Sequence, residues 1–201
     1  MARLAPHDID ELTVDETIYG RFVTIEEYLS IEESSPVRHE YVAGMLYVMT
    51  GGSLRHSELI GNVYTAVRPA ARQQRGRIYA SDALVEVDAD HIYYPDVVVT
   101  CAARDTDDRI LKHPCLVVEV LSPSTKATDR REKASAYRTI ASLRSYPIVH
   151  QDRTLIEHFF RDESGVWHLE FLTDGTVTLR CPAIEVRLPD IYEEFVPPEN
   201  E

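Results

Sequence analysis

Residues 92–122 of this chain have the sequence IYYPDVVVTCAARDTDDRILKHPCLVVEVLS. Two apolar, β-branched runs within it, 96–100 (DVVVT) and 116–121 (LVVEVL), are typical of buried strands. Each run holds one carboxylate, Asp96 in the first and Glu119 in the second. An ionised side chain among valines is costly to bury, so it normally finds a partner, shifts its pKa or ligates a metal. If the two strands are neighbours in one sheet, Asp96 and Glu119 converge on a single cation.

The composition is that of one globular domain whose surface as a whole does not attract nucleic acid. With 201 residues, of which 44% are hydrophobic and 27% charged, the chain is long enough for a full core. The formal net charge of −13 means that any contact with nucleic acid is local or relies on metal ions. The acidic N-terminal segment has no apolar leader region, and no apolar run reaches the roughly 20 residues of a membrane span. We therefore expect a cytoplasmic protein without a membrane segment.

The three cysteines, Cys101, Cys115 and Cys181, predict reduced thiols. Their number is odd and none of them forms a Cys-x-x-Cys pair. This usage is typical of cytoplasmic proteins rather than of secreted proteins with disulfide frameworks. A zinc site with cysteine ligands is the less favoured alternative.

The N-terminal part of the chain predicts an arm followed by a short helix. Residues 1–22 carry five carboxylates and few large apolar side chains, which is typical of a loosely held arm. Thr24 followed by Glu27 fits a capping box, so a helix is expected to begin there and to continue to about Glu33.

The middle of the chain predicts a hairpin, a long helix and a strand pair. Residues 39–49 predict two short strands around a turn, and apolar residues recur at helical spacing over 53–74. From residue 77 the period changes to two, so a strand over 77–87 is expected to pair with one over 92–100 across the turn 88–90.

Helical and hairpin patterns follow the strand that contains Glu119. Asp129 and Glu132 predict a capped helix that continues to about Leu143. Further elements are expected as strands at 146–151, 154–161, 166–173 and 184–188 and as a helical turn at 190–195. Helices alternate with strands early in the chain and hairpins dominate late. This order predicts an α/β chain of mixed α+β character, in which helices pack against a mixed, curved sheet.

Asp96 and Glu119 are the first candidates for chemistry, as ligands of a divalent metal. Carboxylate oxygens are the hard ligands that Mg²⁺ or Mn²⁺ prefers, and because such ions keep several waters, two or three carboxylates suffice. A bound ion lowers the pKa of a ligated water and stabilises charge on a phosphoryl oxygen. The alternative is that each carboxylate lies at a strand end or pairs with an arginine, and the sequence leaves both interpretations open.

Lys133, Glu40 and His56 are further candidates. Lys133 lies one turn into the helix after the Glu119 strand with Tyr137 on the same face, although most lysines in such positions are solvated. Glu40 offers a third oxygen ligand or a group that orients a water, and a surface ion pair is its alternative role. His56 is expected to cap the long helix or to form a hydrogen bond, because no second histidine lies at i+4 to complete a metal site.

The order of these residues resembles the Uma2 family of restriction-endonuclease-like proteins. The resemblance is carried by Glu40, Tyr93-Tyr94-Pro95-Asp96, Val118-Glu119-Val120-Leu121-Ser122-Pro123-Ser124-Thr125, Asp129, Lys133 and Tyr137. It extends from about Thr24 to Val196 and implies one domain over 23–196 with a tail at 197–201. It also implies a branch of the PD-(D/E)XK nuclease superfamily, whose core is a mixed sheet flanked by helices.

The resemblance implies a role for each acidic candidate. Pro95-Asp96 corresponds to the PD element, Glu119 to the second acid and Glu40 to the acidic residue of the N-terminal region. The lysine expected two residues after the second acid is replaced by Leu121, and Lys133 on the following helix is the substitute.

Two functions follow as hypotheses. The first is a nuclease that depends on Mg²⁺ or Mn²⁺ and hydrolyses the phosphodiester bonds of nucleic acid, DNA in preference to RNA. The second is a catalytically silent module that keeps the fold for binding or regulation, which the acidic composition and the missing lysine favour. In either case the apolar face of a late hairpin suits a homodimer.

Overall fold

The computed structural model describes residues 20–49, 51–101, 109–121 and 129–193. The chain divides into two compact units, Met1–Thr50 and Gly51–Glu201. Apart from residues 20–22, the predicted arm and tail lie outside the described residues, as does the Ser-Pro-Ser-Thr segment at 122–125. The domain boundaries at 22 and 196 therefore stay predictions. Within the described residues, no helix combines the length and the apolar character needed to cross a bilayer.

In residues 20–49, the first unit contains one helix and one hairpin, as predicted. Its elements are α1 (Ile25–Ser34), β1 (His39–Val42) and β2 (Met45–Val48), and the two strands pair antiparallel. The turn between them needs positive φ at Ala43 (49°) and Gly44 (84°). Positive φ at both central residues is the geometry that two-residue hairpin loops favour.

The predicted capping box at the start of α1 is confirmed. The Oγ1 atom of Thr24 accepts a hydrogen bond from the Glu27 N–H at 3.2 Å, and Glu27 Oε2 accepts one from the Thr24 N–H at 2.9 Å. Thr24→Ala should therefore lower the free energy of unfolding by about 1 kcal/mol, measured by urea denaturation. Thr24→Ser keeps the accepting hydroxyl and is the control, and an equal loss in both variants would contradict the capping role.

Within its described residues, the second unit contains three α-helices, a π-helical turn and eleven strands. The helices are α2 (Leu54–Gln73), α3 (Ala134–Tyr137), which the π-helical turn Asp129–Lys133 precedes, and α4 (Leu188–Ile191). The strands are β3 (Arg77–Ala80), β4 (Leu84–Asp88), β5 (His91–Tyr93), β6 (Val97–Thr100), β7 (Ile110–Leu111), β8 (Pro114–Leu121), β9 (Ser145–His150), β10 (Ile156–Arg161), β11 (Trp167–Leu172), β12 (Thr176–Arg180) and β13 (Ala183–Arg187).

Six of these strands form a mixed sheet in the order β11-β10-β9-β8-β6-β3. Strands β8 and β9 run parallel, and the other neighbouring pairs are antiparallel. The apolar side of α2 packs against this sheet in a buried core to which β12, β13 and α4 also contribute. The predicted mixed α+β fold is therefore confirmed, and Ser53 caps α2 through a hydrogen bond from the His56 N–H at 3.1 Å.

The antiparallel pairing predicted between 77–87 and 92–100 is confirmed, but each of the two predicted strands is interrupted. Ser81 has a φ of 64°, which breaks the first run into β3 and β4, and Pro95 has no N–H for a sheet hydrogen bond. Strand β3 pairs with β6, whereas β4 pairs with β5. Asp96 consequently lies directly before β6 rather than inside a strand, and its carbonyl accepts a hydrogen bond from the Ser81 N–H at 3.0 Å.

Two later predictions also need correction. The helix expected to reach Leu143 ends at Tyr137, because the following N–H groups of Thr139 and Ile140 bond to carbonyls three residues back, which gives turns instead of α-helix. Strand β12 was not predicted, although it forms a hairpin with β13. The three strands expected over 146–173 are confirmed as β9, β10 and β11 to within two residues at each end.

The prediction of three reduced thiols is wrong for two of the cysteines. Cys115 and Cys181 form a disulfide, with their Cα atoms 5.6 Å apart, and Cys101 is a free, exposed thiol. Because 66 residues separate the bonded cysteines, their approach depends on the tertiary fold and not on local spacing.

Candidate active site

Asp96 and Glu119 are brought together by the pairing of β6 with β8. The antiparallel register sets Val97 opposite Val118, and one further step along the same register sets Asp96 opposite Glu119. Side chains that are directly opposed in an antiparallel pair lie on the same face of a sheet. The predicted neighbourhood of the two strands is therefore confirmed, although Asp96 reaches it from the residue before its strand.

The carboxylate of Asp96 is fixed by one backbone and one side-chain contact. Its Oδ2 atom accepts a hydrogen bond from the Val120 N–H at 2.7 Å and lies 3.3 Å from Nε2 of His56. The Asp96 side chain is 16% exposed. A carboxylate that is held in position and still reaches solvent is suited to a metal ion that keeps its own waters.

His56 links α2 to the same edge of the site. Its Nε2 atom lies 3.0 Å from the Val120 carbonyl oxygen. Because a carbonyl only accepts, Nε2 carries the proton, and the same N–H faces the Asp96 carboxylate. The sequence predicted a capping or hydrogen-bonding role for His56, and the structure assigns the cap to Ser53 and a hydrogen bond to His56. The sequence did not predict the contact of His56 with Asp96. No local pattern indicates this contact, because α2 and β8 are distant in the chain: 64 residues separate His56 from Val120.

Glu119 forms a buried ion pair on the other side of the site. Its Oε1 atom accepts hydrogen bonds from Nζ of Lys133 at 3.3 Å and from the hydroxyl of Tyr137 at 3.1 Å. The residue is 3% exposed and Lys133 is 4% exposed. The π-helical turn and α3 therefore place the Lys133 ammonium beside the acid. Lys133 is buried, so the alternative of a solvated lysine is wrong, and its catalytic role stays a prediction.

Aromatic side chains surround the Lys133–Glu119 pair. The Lys133 ammonium lies 5.4 Å from the centre of the Tyr93 ring, a cation–π contact that fixes its direction. Tyr93 and Tyr137 pack edge to face with ring centres 5.5 Å apart, and the Tyr93 hydroxyl donates to Glu132 Oε1 at 3.2 Å. Tyr93 belongs to the segment that carries the resemblance, but the sequence did not predict its contact with the lysine.

Glu40 stays a prediction as the supporting acid. It lies half-buried in β1 of the first unit. Over the part of the chain that the structure describes, no three carboxylate or imidazole ligand atoms lie within 4.8 Å of one another. The donor set at this site is thus two carboxylates, which fits Mg²⁺ or Mn²⁺ with several retained waters better than a cation that needs a complete protein cage.

Comparisons with known proteins identify a family for this chain. Residues 25–189 match the Uma2 family, described as "Putative restriction endonuclease". Two relatives come from Synechocystis. "Uncharacterized protein slr1290" is 37% identical over 170 residues, which cover 83% of this chain and 90% of the relative. "Uncharacterized protein sll1609" is 28% identical over 153 residues, covering 74% and 86%.

A solved structure has a similar fold. It is "a putative nuclease belonging to DUF820" from Anabaena variabilis, with a TM-score of 0.71 and 16% sequence identity, and the match covers 85% of this chain and 97% of that one. At this identity the likeness concerns the fold alone. The family match extends over most of the chain and includes Asp96, Glu119, Lys133 and Tyr137. The chain belongs to the Uma2 family.

Proposed function

We propose that this protein is a metal-dependent nuclease that hydrolyses phosphodiester bonds at Asp96 and Glu119. The observation that carries the proposal is the antiparallel pairing of β6 with β8, whose register continues to Asp96 opposite Glu119, together with a buried lysine 3.3 Å from Glu119. The family description and the fold of the structural relative support a nuclease. Fold likeness alone says little about activity, so the proposal depends on the geometry of the site.

The metal would be Mg²⁺ or Mn²⁺, held by Asp96 and Glu119, and when bound it supplies an activated water and offsets charge on the phosphate. The protein's own groups orient both ligands. The Val120 N–H and His56 fix the direction of Asp96, and Tyr137 and Lys133 fix that of Glu119. Such outer contacts determine how well a carboxylate ligand is positioned.

Lys133 would supply positive charge at the reacting phosphate. Its ammonium is held between Glu119 and the face of Tyr93, and it is buried from bulk water. A preorganised cation in a water-poor site stabilises charge that develops in the transition state more strongly than a solvated one does. This is the role that the resemblance implies for the lysine on the helix.

We propose DNA in preference to RNA as the substrate, the cytoplasm as the location and a homodimer as the assembly. The homodimer is supported by exposed apolar side chains on β11, which lies at the edge of the six-stranded sheet: Leu169 is 43% exposed and Phe171 is 61% exposed. Size-exclusion chromatography with light scattering tests the assembly.

The proposed activity is tested by incubating the purified protein with supercoiled DNA, single-stranded DNA and RNA. Each substrate is combined with Mg²⁺, with Mn²⁺ or with a chelator. We expect cleavage of DNA with a divalent metal and none with the chelator. Cleavage that persists with the chelator would contradict metal dependence, and no cleavage of any substrate would favour the silent module described below.

Lys133→Met should lower the cleavage rate at saturating substrate by about 100-fold, the size of effect seen when one preorganised group at a developing charge is removed. Methionine keeps an apolar stem of similar length, and Glu119 keeps its hydrogen bond from Tyr137. Because Lys133 is not proposed as a metal ligand, the affinity for Mn²⁺ should stay within a few-fold of the wild-type value.

Lys112→Met is the matched control for the lysine. Lys112 also pairs with a glutamate, at 2.8 Å from Glu86 Oε2, but its side chain is half-exposed. Its loss should leave cleavage unchanged, since exposed ion pairs contribute little. Equal rates for Lys133→Met and the wild type would remove Lys133 from the proposed mechanism.

One observation favours the silent module as a second candidate. Glu119 is buried and its Oε1 atom already accepts from both Lys133 and Tyr137, which is also how a structural ion pair is satisfied. Metal binding separates the two functions, because a structural pair requires no ion. A protein that binds neither Mg²⁺ nor Mn²⁺, with or without DNA, would be assigned to the second candidate.

A further inference from the structure

Three cysteine sulfur atoms from distant parts of the chain meet in the second unit. Cys101 follows β6, Cys115 lies in β8 and Cys181 lies in the turn between β12 and β13. The Cys101 sulfur is 3.5 Å from that of Cys115 and 3.6 Å from that of Cys181. All three sulfur atoms lie within 4.8 Å of one another, so the free thiol touches both halves of the disulfide.

Two of the three distances between these sulfur atoms match the spacing of thiolates around one zinc ion, and the third belongs to the disulfide. With Zn–S bonds of about 2.3 Å and tetrahedral angles, two ligand sulfurs lie about 3.8 Å apart. The two distances from Cys101 are already close to that value. Reduction of the Cys115–Cys181 bond would move these two sulfurs to a non-bonded separation of about 3.5–4 Å. The reduced trio then forms a triangle of the size that zinc requires.

We propose that the reduced protein binds one Zn²⁺ through the thiolates of Cys101, Cys115 and Cys181. The fourth coordination position faces solvent, because Cys101 is exposed, and takes a water. A phosphine reductant supplies the two electrons that break the disulfide bond. The phosphine takes the oxygen of one water molecule and becomes the phosphine oxide, and the two protons of that water protonate the two sulfurs to thiols. The three thiols then release three protons as the zinc binds.

This zinc site is separate from the one at Asp96 and Glu119. Asp96 and Cys101 flank opposite ends of the four-residue strand β6, which spans about 13 Å at 3.3 Å per residue. The two donor sets also differ in chemistry, since thiolates select zinc whereas carboxylates suit Mg²⁺ or Mn²⁺. The zinc would connect β6, β8 and the β12–β13 hairpin, and it therefore stabilises the fold of this unit.

Cobalt is the probe for this site, because Co²⁺ bound to thiolate gives a sulfur-to-metal charge-transfer absorption that carboxylate ligands do not give. The full-length protein is reduced with a phosphine and titrated with Co²⁺ without oxygen. We expect the absorption to saturate at one equivalent per chain, and Zn²⁺ to remove it by displacing the cobalt. The oxidised protein should show no such absorption, because disulfide sulfurs are not thiolates.

Cys101→Ser is the decisive variant, since its side chain is exposed and its loss leaves the disulfide intact. After reduction it should lose the one-equivalent absorption, and Zn²⁺ should no longer raise the melting temperature as it does for the reduced wild type. Asp96→Asn is the matched control and should keep the absorption. The proposal would be overturned by a reduced wild type without thiolate-to-cobalt absorption, or by a Cys101→Ser variant that binds cobalt as the wild type does.

Discussion

Glu119→Gln should lower metal-dependent cleavage of DNA by more than about 100-fold, which exceeds the 10–100-fold cost of changes that only perturb a ligand's surroundings. Glutamine keeps the shape of the side chain and an oxygen that accepts from Tyr137, but it carries no charge for a divalent ion. It also removes one anionic partner of the buried Lys133, which destabilises the fold. Initial cleavage rates are therefore measured well below the melting temperature of the variant, with circular dichroism to verify the fold.

Glu157→Gln is the matched control for the loss of a buried glutamate. Glu157 lies in β10 of the same sheet, is 3% exposed and accepts from Nε2 of His150 at 2.8 Å. Glu157 lies two strands from Glu119 in the sheet register and is not among the proposed metal ligands. Its replacement removes a buried charge without removing a proposed ligand, so cleavage per folded molecule should stay unchanged. Equal loss in both variants would indicate general destabilisation, and full cleavage by Glu119→Gln would refute the assignment of Glu119.

Asp96→Asn should weaken Mn²⁺ binding by at least about tenfold and lower cleavage with it. The amide oxygen of asparagine still accepts from the Val120 N–H, so the local fold is kept, while the charge that attracts the cation is lost. Electron paramagnetic resonance of free Mn²⁺ measures the affinity directly. The titration is repeated with DNA present, since magnesium-type sites often include substrate phosphate among their ligands.

Asp88→Asn is the control for a general decrease in negative charge. Asp88 ends β4, is half-exposed, and its carboxylate lies 2.8 Å from Nδ1 of His91. Its replacement changes the net charge by the same amount as Asp96→Asn, and the Mn²⁺ affinity should not change. Similar weakening in both variants would mean that the ion responds to the acidic surface as a whole and not to Asp96.

Local patterns in the sequence predicted those elements that local interactions determine. The capping box at Thr24 and Glu27, the hairpin turn at 43–44 and the apolar period of α2 each involve residues a few positions apart. The mixed sheet followed from alternating helices and strands early in the chain and hairpins late in it.

The errors in the predicted fold occur where the backbone conformation of one residue, or a contact between distant parts of the chain, determines the structure. The positive φ of Ser81 divides a pattern that otherwise continues at period two, because serine seldom adopts this conformation. The approach of Cys115 to Cys181 depends on where the β12–β13 hairpin packs. Strand β12 alternates buried and exposed residues over only five positions, too few for its period to stand out beside the turn before it.

The candidate site was predictable in its acids but not in their surroundings. Asp96 and Glu119 were identifiable from the sequence because a charged side chain is costly to bury in a run of valines. Placing them together required one further assumption, that β6 pairs with β8. The contacts of His56 with Asp96 and of Tyr93 with Lys133 join separate elements. The family resemblance singled out Lys133, while its burial beside Glu119 required the fold.

The central claim is that Asp96 and Glu119 form one metal-dependent active site. Its most direct test is the initial rate of DNA cleavage as a function of Mn²⁺ concentration, measured for the wild type, Asp96→Asn and Glu119→Gln under the same conditions. We expect a saturable, metal-dependent rate in the wild type and a loss of more than about 100-fold in Glu119→Gln. Asp96→Asn should show a marked loss that added Mn²⁺ does not restore fully. Cleavage by both variants at the wild-type rate, or a wild-type rate that is independent of metal, would contradict this claim.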